Sequence, residues 1–541
     1  MSTARRAWTT ALFTVAALTA VLGVTPHRAP VVEPPDELTV RVDTGQLRGV
    51  RSGAHRVFFG IPYAGPPTGV HRWAAPRPAG HWSGVRDASR PGPLCPQVPS
   101  AYADISSLEE DCLVLNVTAP PKGRGGPRPV LVWIHGDGSV GGGEFFGARG
   151  LADRGVVVVT INYRLGIFGG YAQQGLLGSG TFGLQDQQAA LRWVHRNAAS
   201  FGGDPSRVTV AGSSFGASAI TGHLTSPGAR GLFHRAVLSS GEGMMDMPAG
   251  MMGPEVPGYP WYVWRPAQEM REISAEMTAS LGCASADPAR TLECLRGLPV
   301  KTILKVPHIM NAFQAFGYGN EVLPQLPPDA LSAGRFHRVP VLSGATLDEH
   351  RTFVGMQYDA VGTPFTTDDY DRALSTAFGA DAAVVAREYP VTDFPSPALA
   401  WATVVTDRMW ALGTAAQHSV LAQRVPLYAY EFADRDAPMY LPLPGDFDFG
   451  AFHAGDTPYV FDDAEARAHF TPAQWRLSDT MTDYWAAFAR TGAPAAAQGV
   501  PPWPRYAPGA PVPYTQSLAP DAIGPVDYAR GHRLEFWRRL G

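Results

Sequence analysis

The sequence lacks an excess of charge of either sign. Its 44 lysine and arginine residues nearly balance 48 aspartate and glutamate residues, so the formal net charge is −4 over 541 residues. Proteins that bind nucleic acid or anionic membrane surfaces usually carry a strong positive charge, so we predict neither partner. Lysine is scarce, with only Lys122, Lys301 and Lys305, and we attribute this scarcity to genomic base composition.

Long apolar runs are also few. The stretch from Trp8 to Val24 is apolar and follows Arg5 and Arg6. Positive charge followed by such a stretch is typical of an export signal, and the threonines within it disfavour a membrane-spanning helix. We therefore assign residues 1–29 to a signal peptide or N-terminal export segment and expect a secreted protein. The ordinary secretory route and a twin-arginine route both stay open, and an uncleaved segment would anchor the N-terminus to the membrane.

Cysteine is rare as well, with four residues in the chain. The first is Cys95, so no cysteine lies where a lipid anchor could attach near the N-terminus. Four cysteines allow three disulfide pairings, and exported proteins usually keep an even set oxidised. The alternative is four buried free thiols.

The chain also lacks a low-complexity linker and a visible internal repeat. Its length alone suggests several domains, but large α/β enzymes often fold as one unit with loop insertions. Hydrophobic residues make up 45% of the sequence, which is enough for a large core. We expect one domain over residues 36–541.

Short β-type runs alternate with helical patterns, among them Gly183 to Ala198 and Ala217 to Leu224. This alternation predicts a mostly parallel, twisted sheet covered by helices on both faces, with the active groups at the carboxyl ends of the strands. The regions Gly241 to Ile309 and Val354 to Asp393 are predicted as insertions above that end. The predicted strands are Thr39 to Val42, Val130 to Ile134, Val156 to Ile161, Val208 to Ala211, Ala236 to Leu238, Val339 to Leu342 and Leu427 to Phe432.

The pentapeptide Gly212-Ser213-Ser214-Phe215-Gly216 directly follows the β-branched run Val208-Thr209-Val210. A strand followed by G-x-S-x-G is typical of a nucleophile elbow, in which a sharp turn lifts the serine hydroxyl above the sheet. Because glycine makes up 59 of 541 residues, the pentapeptide alone is weak evidence. Its context favours Ser214 as a nucleophile over an incidental turn serine.

Further motifs follow one another along the chain. They are Phe59-Gly60-Ile61-Pro62-Tyr63-Ala64, Glu109-Glu110-Asp111-Cys112-Leu113-Val114-Leu115-Asn116-Val117, Asn162-Tyr163-Arg164, Gly183-Leu184-Gln185-Asp186-Gln187 and Phe201-Gly202-Gly203-Asp204-Pro205. With these motifs the chain resembles the type-B carboxylesterase family, which includes cholinesterases and para-nitrobenzyl esterases, from about Leu38 almost to the C-terminus. The resemblance implies an α/β-hydrolase fold with insertions over the active site. It also implies two disulfides, Cys95 with Cys112 and Cys283 with Cys294.

The resemblance implies a catalytic triad as well. Glu349 follows the predicted strand Val339 to Leu342 and matches the acid of the family, and His453, in a segment ending Pro458-Tyr459-Val460-Phe461, matches the base. The order Ser214, Glu349, His453 is the order that α/β-hydrolases use. The neighbouring Asp348 stays open as an alternative acid.

The predicted oxyanion hole departs from the family pattern. By position, its backbone donors are Asp137, Gly138 and Phe215, and Asp137 and Ser139 stand where the family has a glycine and an aromatic residue. Backbone N–H groups do not depend on the side chain, so the hole can persist. A carboxylate near the oxyanion would repel it. We therefore hypothesise that the Asp137 carboxylate points away, for example into a salt bridge.

The resemblance thus implies a secreted carboxylic-ester hydrolase that works through a Ser-His-Glu triad and a covalent acyl-enzyme. The expected partner is a small-molecule ester, with no cofactor, no metal and no stable membrane association beyond the export segment, and the oligomeric state stays open. One alternative is a non-catalytic or weakly active binding member of the family. Another is a hydrolase of amide, carbamate or long-chain lipid substrates.

A run rich in methionine and aromatic residues within the first insertion predicts an adaptable apolar pocket wall, with a plain packing cluster as the alternative. Such a wall would favour short to medium acyl chains or aryl esters over charged substrates. The run comprises Met244, Met245, Met247, Met251, Met252, Trp261, Tyr262 and Trp264.

Overall fold

A mixed sheet occupies the centre of the molecule. The computed structural model describes residues 37–123, 126–358, 362–441, 443, 447–494 and 500–541, so the predicted export segment at residues 1–29 lies outside the described residues. The strands within the described residues are β1 (Thr39–Val42), β2 (Gly45–Arg48), β3 (Val50–Ser52), β4 (His55–Pro62), β5 (Val85–Asp87), β6 (Val114–Ala119), β7 (Arg128–Ile134), β8 (Val157–Ile161), β9 (Gly203–Ser213), β10 (Arg235–Ser239), β11 (Trp264–Pro266), β12 (Phe316–Tyr318), β13 (Val341–Thr346), β14 (Leu427–Phe432), β15 (Thr515–Leu518) and β16 (Gly524–Val526).

The large sheet has the strand order β16-β15-β14-β13-β10-β9-β7-β8-β6-β4-β3. The pairings from β8 through β7, β9, β10, β13 and β14 to β15 are parallel. Antiparallel strands close both edges, with β6, β4 and β3 on one side and β16 on the other. The predicted fold class is confirmed, since this is a large, mostly parallel sheet of the α/β-hydrolase type.

Both faces of the sheet are buried, as a parallel sheet requires. Along β7, Val130 and Val132 enter one apolar cluster and Leu131 and Trp133 the other, because successive strand residues point to opposite faces.

Helices cover the two faces. Helices α3 and α4 pack on the Val130 side and α16 on the Leu131 side. The helices of the described residues are α1 (Arg149–Asp153), α2 (Gly166–Gly170), α3 (Phe182–Asn197), α4 (Phe215–Thr225), α5 (Ala267–Ser280), α6 (Pro288–Gly297), α7 (Val300–Ile303), α8 (Pro327–Ser332), α9 (Arg351–Gln357), α10 (Thr367–Phe378), α11 (Ala382–Glu388), α12 (Pro397–Val405), α13 (Leu412–Ala422), α14 (Thr457–Val460), α15 (Ala464–Arg467), α16 (Pro472–Thr491), α17 (Tyr528–Gly531) and α18 (Leu534–Leu540). A π-helical turn, Thr406–Ala411, joins α12 to α13.

One predicted strand is displaced along the chain. The prediction placed it at Val339 to Leu342, whereas β13 begins at Val341 and continues through Thr346. Pro340 has no N–H to donate to a neighbouring strand, which explains the later start. The edge strands β15 and β16 had no sequence signal strong enough to be predicted.

Two disulfides join the cysteine pairs that the resemblance implied. Cys95 bonds to Cys112 and Cys283 bonds to Cys294, across separations of 17 and 11 residues. Loops of this length stabilise a fold by about 3 kcal/mol each in the chain-entropy model. Among the residues that the structure describes, no helix has the length and apolar character needed to cross a membrane.

Candidate active site

Ser214 lies at a sharp turn between β9 and α4. Its φ is 56° and its ψ is −126°, a backbone strain that is often stored at functional positions. The flanking glycines permit the turn, since a Cβ on Gly216 would lie 2.2 Å from the carbonyl oxygen of Ile134. The Ser214 N–H donates to the carbonyl of Ser239 on β10, at 2.8 Å, which fixes the turn above the sheet.

His453 connects Ser214 to Glu349. Its Nε2 lies 2.9 Å from Ser214 Oγ and its Nδ1 lies 2.5 Å from Glu349 Oε2. The second oxygen of Glu349 accepts the Thr346 N–H at 2.7 Å. The side chains of His453 and Glu349 are only 2% and 1% exposed, so the contact between them is shielded from water.

Asp348, the alternative acid, points elsewhere. Its carboxylate accepts hydrogen bonds from Arg435 at 2.8 and 3.0 Å and from the Ala451 N–H at 3.0 Å, and it pairs with Arg351 at 3.1 Å. The structure therefore brings Glu349, and not Asp348, to His453.

Two aromatic residues that sequence reasoning missed hold the imidazole of His453. The ring centroids of Phe353 and Trp410 lie 5.1 and 4.9 Å from that of His453. Phe353 is on α9 and Trp410 is on the π-helical turn. Phe353 lies four residues after Glu349, and this closeness in sequence could have marked it as a neighbour of the triad. Nothing in the sequence near Trp410 marks that residue.

The loop predicted to form the oxyanion hole packs against the elbow. A Cβ on Gly136 would lie 3.0 Å from the Cβ of Ser214, so only glycine allows this approach. Asp137 and Gly138 have positive φ values of 64° and 84°. The Gly138 N–H donates to the Gly136 carbonyl at 2.9 Å and is thus engaged within the loop. Phe215 is the first residue of α4, where N–H groups have no partner inside the helix.

The Asp137 carboxylate folds back onto its own loop. Its Oδ1 accepts the N–H groups of Ser139 and Val140 at 2.8 and 3.1 Å, the Ser139 hydroxyl, and Gln314 Nε2 at 3.1 Å. The hypothesised salt bridge is absent, since no ion pair to Asp137 occurs within the described part of the chain. Burial raises the pKa of Asp137, and these hydrogen bonds oppose the rise.

Two cavities meet at Ser214. The larger, about 410 Å³, is lined by His453 and by aromatic side chains that include Trp133, Phe146 and Phe461. The smaller, about 310 Å³, is lined by Phe215, Met245, Phe353 and Trp410 on the other side of the serine. Tyr102, Asp137 and Ser214 line both. The site can therefore hold a substrate that extends in two directions from the serine.

The predicted methionine-rich wall is divided between the cavity and the core. Met245, Met252 and Tyr262 line the smaller cavity. Met247 and Met251 are buried in an apolar cluster with residues of both predicted insertions. Both the pocket interpretation and the packing interpretation are thus correct for part of the run.

Ser240 and two further buried acids lie close to the triad. Ser240 has a φ of 50° and lines the smaller cavity. Burial raises the pKa of Asp456 to about 6 and that of Glu242 to about 8, and the charge of Glu349 adds to both effects. The Tyr430 hydroxyl lies 2.9 Å from Asp456 Oδ2. Sequence reasoning missed both acids, because a lone carboxylate has no motif.

The described residues include no group of three or more His, Cys, Asp or Glu side chains arranged to hold a metal ion.

Comparisons with known proteins identify the family of this chain. A family model described as the carboxylesterase family matches residues 36–537. Carboxylesterase 3 of Pongo abelii is 32% identical, over 93% of this chain and 91% of the relative. The acylcarnitine hydrolase of Mus musculus is 31% identical, over 92% of this chain and 90% of the relative. The chain therefore belongs to the carboxylesterase family, with the α/β-hydrolase fold and the carboxylic-ester hydrolase activity of that family.

Proposed function

We propose that this protein is a secreted carboxylesterase that cleaves small-molecule esters through Ser214, His453 and Glu349 and a covalent acyl-enzyme. The observation that supports this most strongly is the unbroken series of contacts from Ser214 Oγ to His453 Nε2 and from His453 Nδ1 to Glu349 Oε2, at 2.9 and 2.5 Å. This is the geometry that a serine hydroxyl needs to become a nucleophile at neutral pH.

In the acylation step Ser214 Oγ attacks the ester carbonyl while its proton passes to His453 Nε2. Glu349 accepts the hydrogen bond of Nδ1–H, which fixes the tautomer and stabilises the imidazolium. The imidazolium then gives its proton to the leaving alcohol oxygen, and the acyl group stays on Ser214. Water repeats the sequence with the acyl-enzyme and releases the carboxylic acid.

The charge on the carbonyl oxygen must be held by backbone donors. We assign this role by sequence position to the N–H groups of Asp137 and Phe215, and the Gly138 N–H joins them if it leaves the Gly136 carbonyl. One such donor is worth about 2.7 to 4 kcal/mol in other serine hydrolases. Asp137 therefore contributes its backbone to the oxyanion hole whatever its side chain does.

The position of His453, which donates the proton to the leaving oxygen, determines how the ester lies in the site. The leaving oxygen must lie within reach of His453 Nε2, and His453 lines the larger cavity but not the smaller. The alcohol part of the ester then lies in the larger, mainly aromatic cavity. The acyl part lies in the smaller one, between Phe215 and Trp410.

Secretion is supported by the composition of the N-terminus and by the two disulfides, which form and persist in oxidising compartments. Expression of the full chain with its first 29 residues, beside a chain that begins at residue 30, would test it. Export of only the longer chain supports the proposal, and equal retention of both inside the cell contradicts it.

The experiment that tests the chemistry is hydrolysis of para-nitrophenyl acetate, butyrate and octanoate by the purified protein beside Ser214→Ala. Activity that disappears in the variant supports the serine mechanism, and mass spectrometry after rapid quenching should find an acyl group on Ser214. A well-folded wild type that hydrolyses none of these esters would favour a binding protein or an amide, carbamate or lipid substrate.

A further inference from the structure

Among the described residues, no basic side chain acts as a counter-ion for Asp137. No basic residue forms an ion pair with it in the described part of the chain, and neither arginine nor lysine lines either of the two cavities that it borders. Charges taken out of water in folded proteins are normally paired. A positively charged group of the substrate would therefore be a suitable partner for this unpaired carboxylate beside the nucleophile.

The two oxygens of Asp137 have different roles. Every hydrogen bond that the carboxylate accepts within the described residues goes to Oδ1, from Ser139, Val140 and Gln314. Oδ2 accepts none of them. An amide oxygen would hold the loop as well as Oδ1 does, so the shape of the loop does not require the negative charge.

The smaller cavity has the more polar wall of the two. The polar side chains of this wall include Ser139, Asn311, Gln314 and Tyr262. Burial raises the pKa of the Tyr262 hydroxyl to about 12, and the charge of Asp137 adds to that rise. The Tyr262 hydroxyl thus stays a neutral neighbour that does not compensate the carboxylate.

Acidic residues of the larger cavity extend the negative field. Asp104, Asp463 and Glu465 belong to its wall. Clefts lined by charge of one sign raise the local concentration of ligands of the opposite sign. The approach to Ser214 through this cavity therefore attracts positively charged esters, whichever part of the ester carries the charge.

We propose that Asp137 makes this enzyme selective for esters whose acyl group carries a positively charged amino group next to the carbonyl, with α-amino acyl esters as the model class. The proposal rests on the proposed function, because it places the acyl group in the smaller cavity and the carbonyl oxygen at the Asp137 N–H. A cation on the α-carbon then lies between the carboxylate and the developing oxyanion. It pairs with Asp137 and removes the repulsion that a neutral ester experiences.

The test uses two esters of the same shape, L-alanine ethyl ester and ethyl isobutyrate, at pH 6.5 with the wild type and Asp137→Asn. Asparagine keeps the oxygen that accepts from Ser139 and Val140 and tolerates a positive φ, so the loop is preserved. We expect kcat/KM to fall for the alanine ester and to rise for the isobutyrate ester. Their ratio should change by about 10- to 100-fold, as expected for a hydrogen bond to a charged group. The intrinsic reactivity of each ester cancels, because each is compared between two proteins.

The opposite directions separate charge recognition from loop damage, which would slow both esters together. Ser139→Ala is the matched control, since it removes a bond to Oδ1 but keeps the charge, and it should preserve the preference for the alanine ester. A third ester, isobutyrylcholine, places the cation in the alcohol part. A loss in Asp137→Asn for that ester, and not for the alanine ester, overturns the proposal.

Failure of this selectivity and failure of the proposed function give different results. If the wild type hydrolyses ethyl isobutyrate and Ser214→Ala does not, the proposed function stands, and an unchanged ratio in Asp137→Asn then refutes selectivity for cationic acyl groups. If the wild type and Ser214→Ala are equally inactive on every ester, the proposed function itself fails.

Discussion

Two histidines of this molecule are buried against carboxylates, and they differ in the second partner of the ring. His453 has Glu349 at Nδ1 and the Ser214 hydroxyl at Nε2. His532 has Asp407 at Nδ1 and Glu431 at Nε2, both at 2.7 Å. Burial by itself lowers the pKa of His532, but the hydrogen bonds and charges of Asp407 and Glu431 raise it to about 10.

The second partner of the ring, and not burial, decides whether such a histidine can transfer a proton. A hydroxyl leaves one nitrogen free to take a proton and return it. Two carboxylates favour the imidazolium at neutral pH, so His532 acts there as a fixed cation. It ties the turn between α17 and α18 to β14 and to the π-helical turn. That turn also carries Trp410, which packs on His453, so the structural site supports the catalytic one.

The largest expected effect is the loss of activity on removal of the catalytic histidine. His453→Ala should lower kcat by about 10⁴- to 10⁶-fold, the range seen when a triad histidine is lost. It should also lower the melting temperature, because the buried ring leaves a cavity beside Phe353 and Trp410. Kinetics on para-nitrophenyl butyrate and thermal unfolding check both parts. A variant that keeps one tenth of the wild-type kcat would contradict the assignment of His453 as the base.

The neighbouring acids Glu349 and Asp348 should differ in their effect on catalysis. Glu349→Gln should lower kcat by about 10⁴-fold, because an amide in place of the carboxylate favours the wrong tautomer of His453. Asp348→Asn is the matched control, since it changes the adjacent acid, which pairs with Arg435 and Arg351. It should affect the melting temperature more than kcat. The reverse pattern would make Asp348 the acid.

On the structural side, His532→Ala should lower the free energy of unfolding by about 3 to 5 kcal/mol, because it removes the cation between two buried carboxylates. Of the ion pairs that Asp407 forms within the described residues, only the longer contact with Arg533, at 3.9 Å, then remains. Asp407 and Glu431 are only 2% and 3% exposed. Denaturant unfolding measures the loss, and His469→Ala, at an exposed position, serves as the control. An equal effect of the two variants would show that the His532 ion pairs add nothing to stability.

The pH dependence of stability should separate His532 further. Its pKa is raised above the ordinary value of 6.5 to about 10, so its stabilisation is fully present below pH 6.5 and is lost as the pH rises through about 10. The difference in unfolding free energy between the wild type and His532→Ala should therefore shrink over this interval. A constant difference from pH 6 to pH 10 would mean that His532 is not held as an imidazolium.

Sequence reasoning found one of these histidines and missed the other for a physical reason. The partners of His453 lie 104 and 239 residues away, and those of His532 lie 101 and 125 residues away, so distance along the chain does not explain the difference. His453 was found because its segment, which ends in Pro458-Tyr459-Val460-Phe461, resembles the histidine segment of the family. The strand, the sharp turn and the glycines leave a local pattern at its partner Ser214.

An ion pair needs only that two surfaces meet in the folded state. No short pattern records this, and the same holds for Gln314, which reaches Asp137 across 177 residues. The parallel strands were predictable for the opposite reason, because burial on both faces requires continuous β-branched runs such as Val130 to Ile134.

The smallest expected effect concerns Glu242, whose charge acts on residues near both His453 and His532. Its side chain is 1% exposed and neither oxygen reaches hydrogen-bond geometry with a described residue. Burial and the charge of Glu349 raise its pKa to about 8, although the Thr414 hydroxyl opposes the rise. The charge of Glu242 acts on the Tyr528 hydroxyl. The ring centroid of Tyr528 lies 4.5 Å from that of His532. Near pH 7 this acid is therefore mostly uncharged, unlike the two that hold His532.

Above about pH 8 the ionised Glu242 places a second negative charge beside Glu349, which favours the imidazolium that His453 becomes in the transition state. We expect kcat/KM of the wild type on ethyl butyrate to rise severalfold through this pH and that of Glu242→Gln to stay flat. Asp456, whose pKa is about 6, titrates below this interval and is the same in both proteins. Coincident profiles would show that Glu242 is electrostatically separate from the triad, and the contrast between the two histidines would then rest on their direct partners alone.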